Sequence, residues 1–422
     1  MKFYIYTLGC KVNTYESNVM KDKLINSGYI EGSENNSDIY IINTCTVTNT
    51  SDNKSLKVVR RVIKNYSKAI VVVVGCMTQV NSNLLKDLNV SIILGNSGKS
   101  KIVEYIEKYK RTNKPIIDIE NIMEKDFEDM CLNNFNKTRA FVKIEDGCEN
   151  YCSYCIIPFA RGKVRSKKPE IVIEEIKKLI SDGHKEIVLT GIHTGHYGAD
   201  LEEFSFSKLL KELEKIEGLE RLRISSIEIT ELDDEFMNVL KNSKILVDHM
   251  HIPIQSGSDE ILKLMNRKYD KKYFINKINE IRKIRPNISI TTDLIVGFPG
   301  ETEELFNETI DTVNKIRFSK IHVFPFSLRK GTKAEELPNH IDDITKKERV
   351  KKLIKISEKL EKEYFNKFIN KEVEFLPEIY KEGYVIGHTG NYLLIKKKGD
   401  VDELNTINKI IIKGVEYPYC IG

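Results

Sequence analysis

The stretch RAFVKIEDGCENYCSYCIIPFARGKVRS, residues 139 to 166, decides how this chain is read. It opens as an apolar strand pattern and runs into three cysteines, Cys148, Cys152 and Cys155, within eight positions. A closed zinc site takes four protein ligands, usually from two separated Cys-x-x-Cys pairs. No fourth thiol stands near these three in the sequence, which fits an iron–sulfur cluster with one corner left open for a substrate or cofactor. Disulfides fit less well. Eight cysteines in 422 residues is sparse, and no stretch resembles a secretory signal peptide.

Working outward from that loop, strand-like apolar runs alternate with amphipathic helical stretches, the pattern of parallel α/β architecture. The cysteines follow the first of six such runs: RAFVKIEDGC, EIVLTGIHTG, RLRISSIEI, DHMHIPIQSG, SITTDLIVGFPG and KIHVFPFS. Six β/α units in about 225 residues predict a partial parallel barrel with its site at the C-terminal strand ends. Thr190, Gly191, Ser225, Ser226, Gly297 and Gly300 stand at those ends. There, glycine admits close backbone approach and hydroxyls can bond a ribose or a carboxylate. Each of them taken singly is also compatible with an ordinary turn.

Upstream, KFYIYTLGC, DIYIINTC, AIVVVVGC and VSIILG read as strands of a separate parallel sheet. Three of these end in Cys10, Cys45 and Cys76, and the strand ends of an open parallel sheet share one edge, so a second set of three thiols is expected to converge. The alternative is three small buried hydrophobes. Cys131 and Cys420 have no such placement and read as structural. GNSGKS, residues 95 to 100, ends like a phosphate-binding loop but has Ile93 where that motif requires glycine. From about Phe368 the chain reads as a small β-rich module whose one basic patch is Lys396, Lys397 and Lys398. Tyr392 nearby is a candidate to stack on a base, against the alternative of an ordinary solvated lysine face. The mixed-charge stretch 345–369 predicts a connecting helix on the barrel's outer layer. No apolar run is long enough to span a bilayer, and the net charge of +5 makes any RNA surface a local patch.

GCENYCSYC resembles the signature of the radical S-adenosylmethionine superfamily, including Tyr154 before the third cysteine. The whole chain is similar to the methylthiotransferases of that superfamily. The likeness rests on TLGCKVN, NTCTVT, GCMTQ, YCIIPFARGKVRS, LTGIHTGHYG, HIPIQSGSD and LIVGFPGET. The GCKVN and ARGKVRS forms are most like the branch acting on N6-threonylcarbamoyladenosine in tRNA. Other branches act on isopentenyladenosine in tRNA or on an aspartate of a ribosomal protein.

This resemblance implies an N-terminal domain (1–135) with an auxiliary cluster on Cys10, Cys45 and Cys76. It further implies a radical core (136–366) with a four-iron, four-sulfur cluster on Cys148, Cys152 and Cys155, and a C-terminal TRAM-like domain (367–422) that binds tRNA through residues such as Lys396 to Lys398. S-adenosylmethionine is expected beside Tyr154, Thr190, Gly191, Ser225, Ser226 and Gly297. Arg161 and Arg329 are candidates for carboxylate or phosphate contacts, or plain surface arginines. An electron donor such as flavodoxin or ferredoxin, a sulfur source and a cytoplasmic location complete the expectation. Two rival readings are a non-catalytic iron–sulfur RNA-binding redox sensor and a one-cluster enzyme with structural N-terminal cysteines.

Overall fold

The computed structural model describes residues 1–132, 135 and 138–422. Its first sheet has six parallel strands, β1 (Lys2–Thr7), β2 (Ile30–Glu31), β3 (Ile39–Thr44), β4 (Ile70–Gly75), β5 (Ile92–Leu94) and β6 (Ile116–Asp118), in the order β2-β1-β3-β4-β5-β6. The four strands expected from sequence form its middle, and β2 and β6 are edge strands too short to show a pattern. Both faces are covered, which is why β3 and β4 read as unbroken apolar runs. Ile39 and Ile41 pack with Leu24, Ile102 and Ile106 on one face, Tyr40 and Ile42 with Leu56 and Val59 on the other. The covering helices are α1 (Lys11–Asn26), α2 (Asn49–Asn65), α3 (Cys76–Asn81) and α4 (Ile102–Thr112). Helix α1 starts directly after Cys10, five residues earlier than the apolar pattern alone suggests.

The middle of the chain begins with β7 (Arg139–Lys143), the short pair β8 (Glu145–Asp146) and β9 (Arg165–Ser166), and between them α5 (Ile157–Arg161). It continues through α6 (Pro169–Ser181), β10 (Glu186–Thr190), α7 (Phe206–Leu213), β11 (Arg221–Ile224), α8 (Asp234–Asn242), β12 (His249–His251), α9 (Asp259–Leu264) and α10 (Lys271–Ile284). The last elements are β13 (Ser289–Val296), α11 (Glu303–Ile316), β14 (Lys320–Pro325) and α12 (Asp343–Asn366). Strands β7, β10 and β11 form one parallel sheet and β12, β13 and β14 another. A bridge between Leu222 and Leu246 and the Ile227 N–H donating to His251 O at 3.0 Å join the two into an open, partial barrel.

Its strands alternate in the opposite sense to a filled barrel. Ala140, Val142, Ile187, Leu189, Leu222, Ile224, Met250, Ile290 and Leu294 belong to the apolar core shared with the surrounding helices. The intervening positions include Phe141 and Val188 but are otherwise mostly polar: Arg139, Lys143, Arg223, Ser225, His249, His251, Thr291 and Asp293. A closed barrel of this kind fills its interior with Val, Ile and Leu. Here the interior is polar.

The C-terminal domain is a six-stranded sheet in the order β18-β15-β16-β17-β20-β19, made of β15 (Glu372–Lys381), β16 (Tyr384–Thr389), β17 (Leu394–Lys398), β18 (Asn408–Ile411), β19 (Gly414–Glu416) and β20 (Tyr419–Ile421). Only the β17–β20 pair is parallel. Helix α12 joins this domain to the barrel through packing as well as covalently: Leu353 and Leu360 lie in the barrel core, Tyr364 and Phe365 in the C-terminal core. Cys420 is buried in that core, as a structural cysteine should be, whereas Cys131 is exposed. The first expected boundary, 135/136, includes Asn136, outside the described residues.

The N-terminal sheet docks on the barrel through a buried charge cluster. Arg161 has no exposed surface and donates from Nη1 to Glu16 and to both carboxylate oxygens of Asp146 (3.2 and 3.4 Å), and from Nη2 to Asn13 Oδ1 at 2.7 Å. Lys143 reaches Glu16 at 2.8 Å and Asp146 at 2.6 Å, and Lys99 also pairs with Glu16. Arg161 is therefore neither a surface arginine nor free for a ligand, and Lys99 of the phosphate-loop look-alike is fully buried in an ion pair. Arg329 plays a similar part elsewhere on the same boundary, donating to Asn49 Oδ1 (2.6 Å), Thr46 Oγ1 (2.7 Å) and Asp52 Oδ2 (2.7 Å).

Burial alone would raise the Glu16 carboxyl, but Arg161, Lys143 and Lys99 outweigh it and hold Glu16 well below the usual carboxylate range. Such a group stabilises the fold above its unfolded value and loses that contribution as pH falls. Removing one partner of a buried pair typically costs about 3–5 kcal/mol, so Glu16→Gln should lower unfolding free energy by about that much at neutral pH. Its stability should also fall less steeply than that of the parent below about pH 4.5. Urea titrations across that range measure both effects, and an unchanged acid limb would contradict the assignment.

Candidate active site

Both sets of three cysteines come together. Cys45 follows β3, Cys76 opens α3 immediately after β4, and Cys10 caps α1 just beyond β1. The approach is close: a Cβ on Gly9 (φ +97°) would stand 2.7 Å from the Cys45 Cβ and 2.9 Å from its Sγ, so glycine is required there. Burial pushes the Cys45 thiol up to about 11, and Cys76 and Cys10 add to the shift. Cys10 keeps surface open to the cleft, yet it lies deep enough among protein atoms that burial raises it too, with Cys76 contributing. Cys76 accepts from Arg161 Nε at 3.2 Å and from Asn96 Nδ2 at 3.4 Å.

Cys148, Cys152 and Cys155 lie on the loop between β8 and α5. Burial raises Cys148 and Cys155, and the neighbouring thiols of the loop raise them further. The loop is held at several points. Cys148 N–H donates to Gly162 O (3.0 Å), Ser153 N–H to Met265 O (3.1 Å), Ser153 Oγ to Leu264 O (2.7 Å) and Asn266 Nδ2 to Tyr151 O (3.0 Å). Gly147 (φ +93°) has no room for a side chain, because a Cβ there would sit 1.7 Å from Lys163 O. Arg267 donates to Cys152 Sγ at 3.4 Å while paired with Glu228, and His193 Nδ1 is 3.8 Å from Cys148 Sγ. Three convergent thiols with N–H donors aimed at sulfur are a donor set that fits an iron–sulfur cluster. Each set offers three thiols and leaves one corner free.

Polar atoms without protein partners collect where β10 ends. Thr190 Oγ1, Thr194 Oγ1 and Glu145 Oε1 are buried and unpaired, which fits a site made to receive a polar ligand. Gly191 lets the turn close over Glu145, since a Cβ would come 2.6 Å from its Oε2. That oxygen accepts the His193 N–H at 2.7 Å. Tyr154 stands edge-on to Phe298, with ring centroids 6.4 Å apart. Ser225 and Ser226 are the two residues directly after β11, and Ser225 lines the barrel interior. Gly297 takes φ +70° for its turn, but the space a Cβ would need is filled by Lys346, 2.3 Å away. Its N–H is bound by Glu301 at 2.6 Å.

The C-terminal residues are placed differently from the simplest sequence reading. Strand alternation divides the lysine triplet: Lys397 pairs with Glu403 at 2.7 Å, Lys396 lies over the Tyr384 and Tyr419 rings, and Lys398 is exposed. Tyr392 is not available to a base. It stacks on His249 with centroids 4.5 Å apart, Arg223 covers it at 4.7 Å, and Arg139 Nη1 donates to its hydroxyl at 3.3 Å. Glu145, His193 and Arg267 stand at the site, and sequence reasoning did not single them out. His193 stood inside a quoted motif, and Glu145 lies three positions before the first loop cysteine. Nothing in the MNRKYD stretch marked Arg267.

The radical SAM superfamily model matches residues 142–313, and a model described as "Uncharacterized protein family UPF0004" matches residues 2–95. The chain is 43% identical to threonylcarbamoyladenosine tRNA methylthiotransferase MtaB of Bacillus subtilis (strain 168), covering 99% of this chain and 95% of that protein. It is 38% identical to the tRNA-2-methylthio-N(6)-dimethylallyladenosine synthase of Natranaerobius thermophilus, over 85% of this chain and 82% of that protein. Among solved structures, the radical S-adenosylmethionine methyltransferase TsrM from Kitasatospora setae shares the fold, with a TM-score of 0.57 and 13% identity over 76% of this chain and 72% of that one.

Burial raises the Glu145 carboxyl well above its ordinary value, so the folded protein binds a proton there more tightly than the unfolded chain does. That difference opposes folding as pH rises. Glu145→Gln matches the protonated form and should equal the parent near about pH 4, then become progressively more stable toward about pH 8. Denaturant unfolding at several pH values reads this directly, and a constant loss at every pH would refute it.

Proposed function

We propose that this chain, which belongs to the threonylcarbamoyladenosine branch of the radical S-adenosylmethionine methylthiotransferases, adds a methylthio group to C2 of N6-threonylcarbamoyladenosine beside the anticodon of tRNA. The observation that carries the reading is the convergence of two separate sets of three cysteines, one of them held by the buried Arg161, in a chain alignable with such enzymes over nearly its full length. Cys148, Cys152 and Cys155 hold a four-iron, four-sulfur cluster, and Cys10, Cys45 and Cys76 hold a second. With S-adenosylmethionine bound, these groups supply radical hydrogen removal at C2 and the sulfur that is inserted.

The chain's own residues position and enclose these groups. Arg267 and His193 orient the loop sulfurs, Arg161 and Asn96 orient Cys76, and Thr190, Gly191 and protonated Glu145 shape the polar end of the S-adenosylmethionine site. Tyr154, Ser225, Ser226 and Gly297 border the rest of that site, Gly297 through its backbone turn. The units are 1–135 for the second cluster, 136–366 for the radical core and 367–422 for RNA contact. Among the described residues Lys398 has no ion-pair partner and is the cation offered to tRNA phosphate, with Lys396 and Lys397 adding charge behind it. A flavodoxin- or ferredoxin-like donor and a separate sulfur source act with the enzyme. Among the described residues no helix is long and apolar enough to cross a membrane, in keeping with a cytoplasmic site of action.

Anaerobically reconstituted protein should contain about eight irons, and replacing Cys10, Cys45 and Cys76 together by alanine should leave about four. Cys152→Ala should abolish 5′-deoxyadenosine formation, whereas Cys45→Ala should retain it and yield no methylthio product. Nucleoside analysis should find the methylthio group on threonylcarbamoyladenosine tRNA and not on isopentenyladenosine tRNA. Zinc as the bound metal would overturn the cluster assignment, and preferential use of isopentenyladenosine tRNA would overturn the substrate.

A further inference from the structure

A cavity of about 290 Å³ lies inside the polar barrel and is bounded by all three parts of the chain. The N-terminal sheet contributes Lys11, the barrel Ser225, His249, His251 and Thr291, and the C-terminal domain Tyr392. The charged groups around it are mostly matched: Lys320 pairs with Glu361 at 3.0 Å and His251 Nε2 lies 3.4 Å from Asp293 Oδ1. Arg139 is matched by Glu378 and Arg223 by Glu186. Lys11 is half-buried, and among the described residues it has no carboxylate within ion-pair distance. His249 Nδ1 is likewise buried without a partner. His249 Nε2 and His251 Nδ1 both reach Thr291 Oγ1, at 3.2 and 2.9 Å, so the wall carries fixed polar groups.

A half-buried cation without a counterion carries a desolvation cost that a ligand of opposite charge offsets. We propose that this cavity takes the threonylcarbamoyl group of the target adenine, with Lys11 meeting its carboxylate and the His249–Thr291–His251 wall meeting its hydroxyl and urea groups. This rests on the substrate reading above and assigns the residues that carry it. The covalent order supports the placement. Lys11 directly follows Cys10, and in adenine a single ring nitrogen separates C2 from the carbon bearing the N6 substituent. A base whose C2 faces the Cys10 set thus has its N6 group within reach of the next residue. An isopentenyl group is uncharged and apolar, and would leave Lys11 and the His249 nitrogen unpaired, a penalty that discriminates more strongly than a change of hydrocarbon shape.

The test uses reconstituted full-length enzyme and anticodon stem-loop RNA whose target adenosine carries the threonylcarbamoyl group as the free carboxylate or as its neutral methylamide. The parent should bind the carboxylate form at least about tenfold more tightly, the discrimination expected of one charge-assisted contact. Lys11→Met should erase that preference and Lys11→Arg should retain most of it, with iron content and melting temperature confirming that each variant is folded. A parent enzyme without the preference, or a folded Lys11→Met that keeps it, overturns the proposal. The parent comparison needs no variant to fold. If the parent methylthiolates threonylcarbamoyladenosine tRNA yet shows no carboxylate preference, only this proposal falls. If it leaves that tRNA unmodified, the substrate reading falls first.

Discussion

One guanidinium ties the halves of the site together. Arg161 ends the short helix that follows the loop cysteines, and it touches Glu16 and Asn13 from the N-terminal helix, Asp146 from the barrel and the Cys76 sulfur. Its planar fork can satisfy several partners at once, which an ammonium could not do from one point. Because the cluster is buried, its charges are worth more to one another than they would be in water, and each needs all its partners. The spacing between the two cysteine sets is therefore set by a saturated hydrogen-bond network rather than by a flexible hinge.

The barrel interior shows what that docking makes possible. A parallel barrel normally spends its interior on packed aliphatic side chains. This one places its aliphatic residues between strands and helices and leaves polar residues inside, closed on one side by the N-terminal sheet. Enclosure by a neighbouring domain lets a polar chamber exclude bulk water without filling itself, and a reactive intermediate needs such exclusion.

Much of this was legible in the sequence, for reasons that differ by element. All six barrel strands and the four central strands of the first sheet were readable because short apolar runs alternate with helical stretches, most of the runs ending in glycine or cysteine. The loop set was readable from its spacing within eight positions, and the N-terminal set because thiols at equivalent ends of parallel strands share an edge. What could not be read is which polar residues face one another across a domain boundary. Arg161, Arg329 and Lys99 all look like ligand contacts in one dimension, and each is engaged by an acid or amide more than 80 positions away or, for Lys99, by Glu16 at a distance of 83. Tyr392 misled for a similar reason. The lysine run begins four positions after it, but its neighbours in space are Arg139, Arg223 and His249.

The position of Tyr392 has a bearing on how such chains change over time. The C-terminal sheet is seated by Arg221 and Arg223, which donate to the main-chain oxygens of Glu374, His388, Thr389 and Gly390, and its Tyr392 ring forms the floor of the barrel. An RNA-contacting module on a tether could be exchanged between proteins as a cassette. Here the exchange would remove part of the chamber wall, so a domain borrowed from a relative would have to bring an aromatic ring at the same turn and backbone carbonyls in the same register. The C-terminal module and the chamber it closes are thus inherited as one piece.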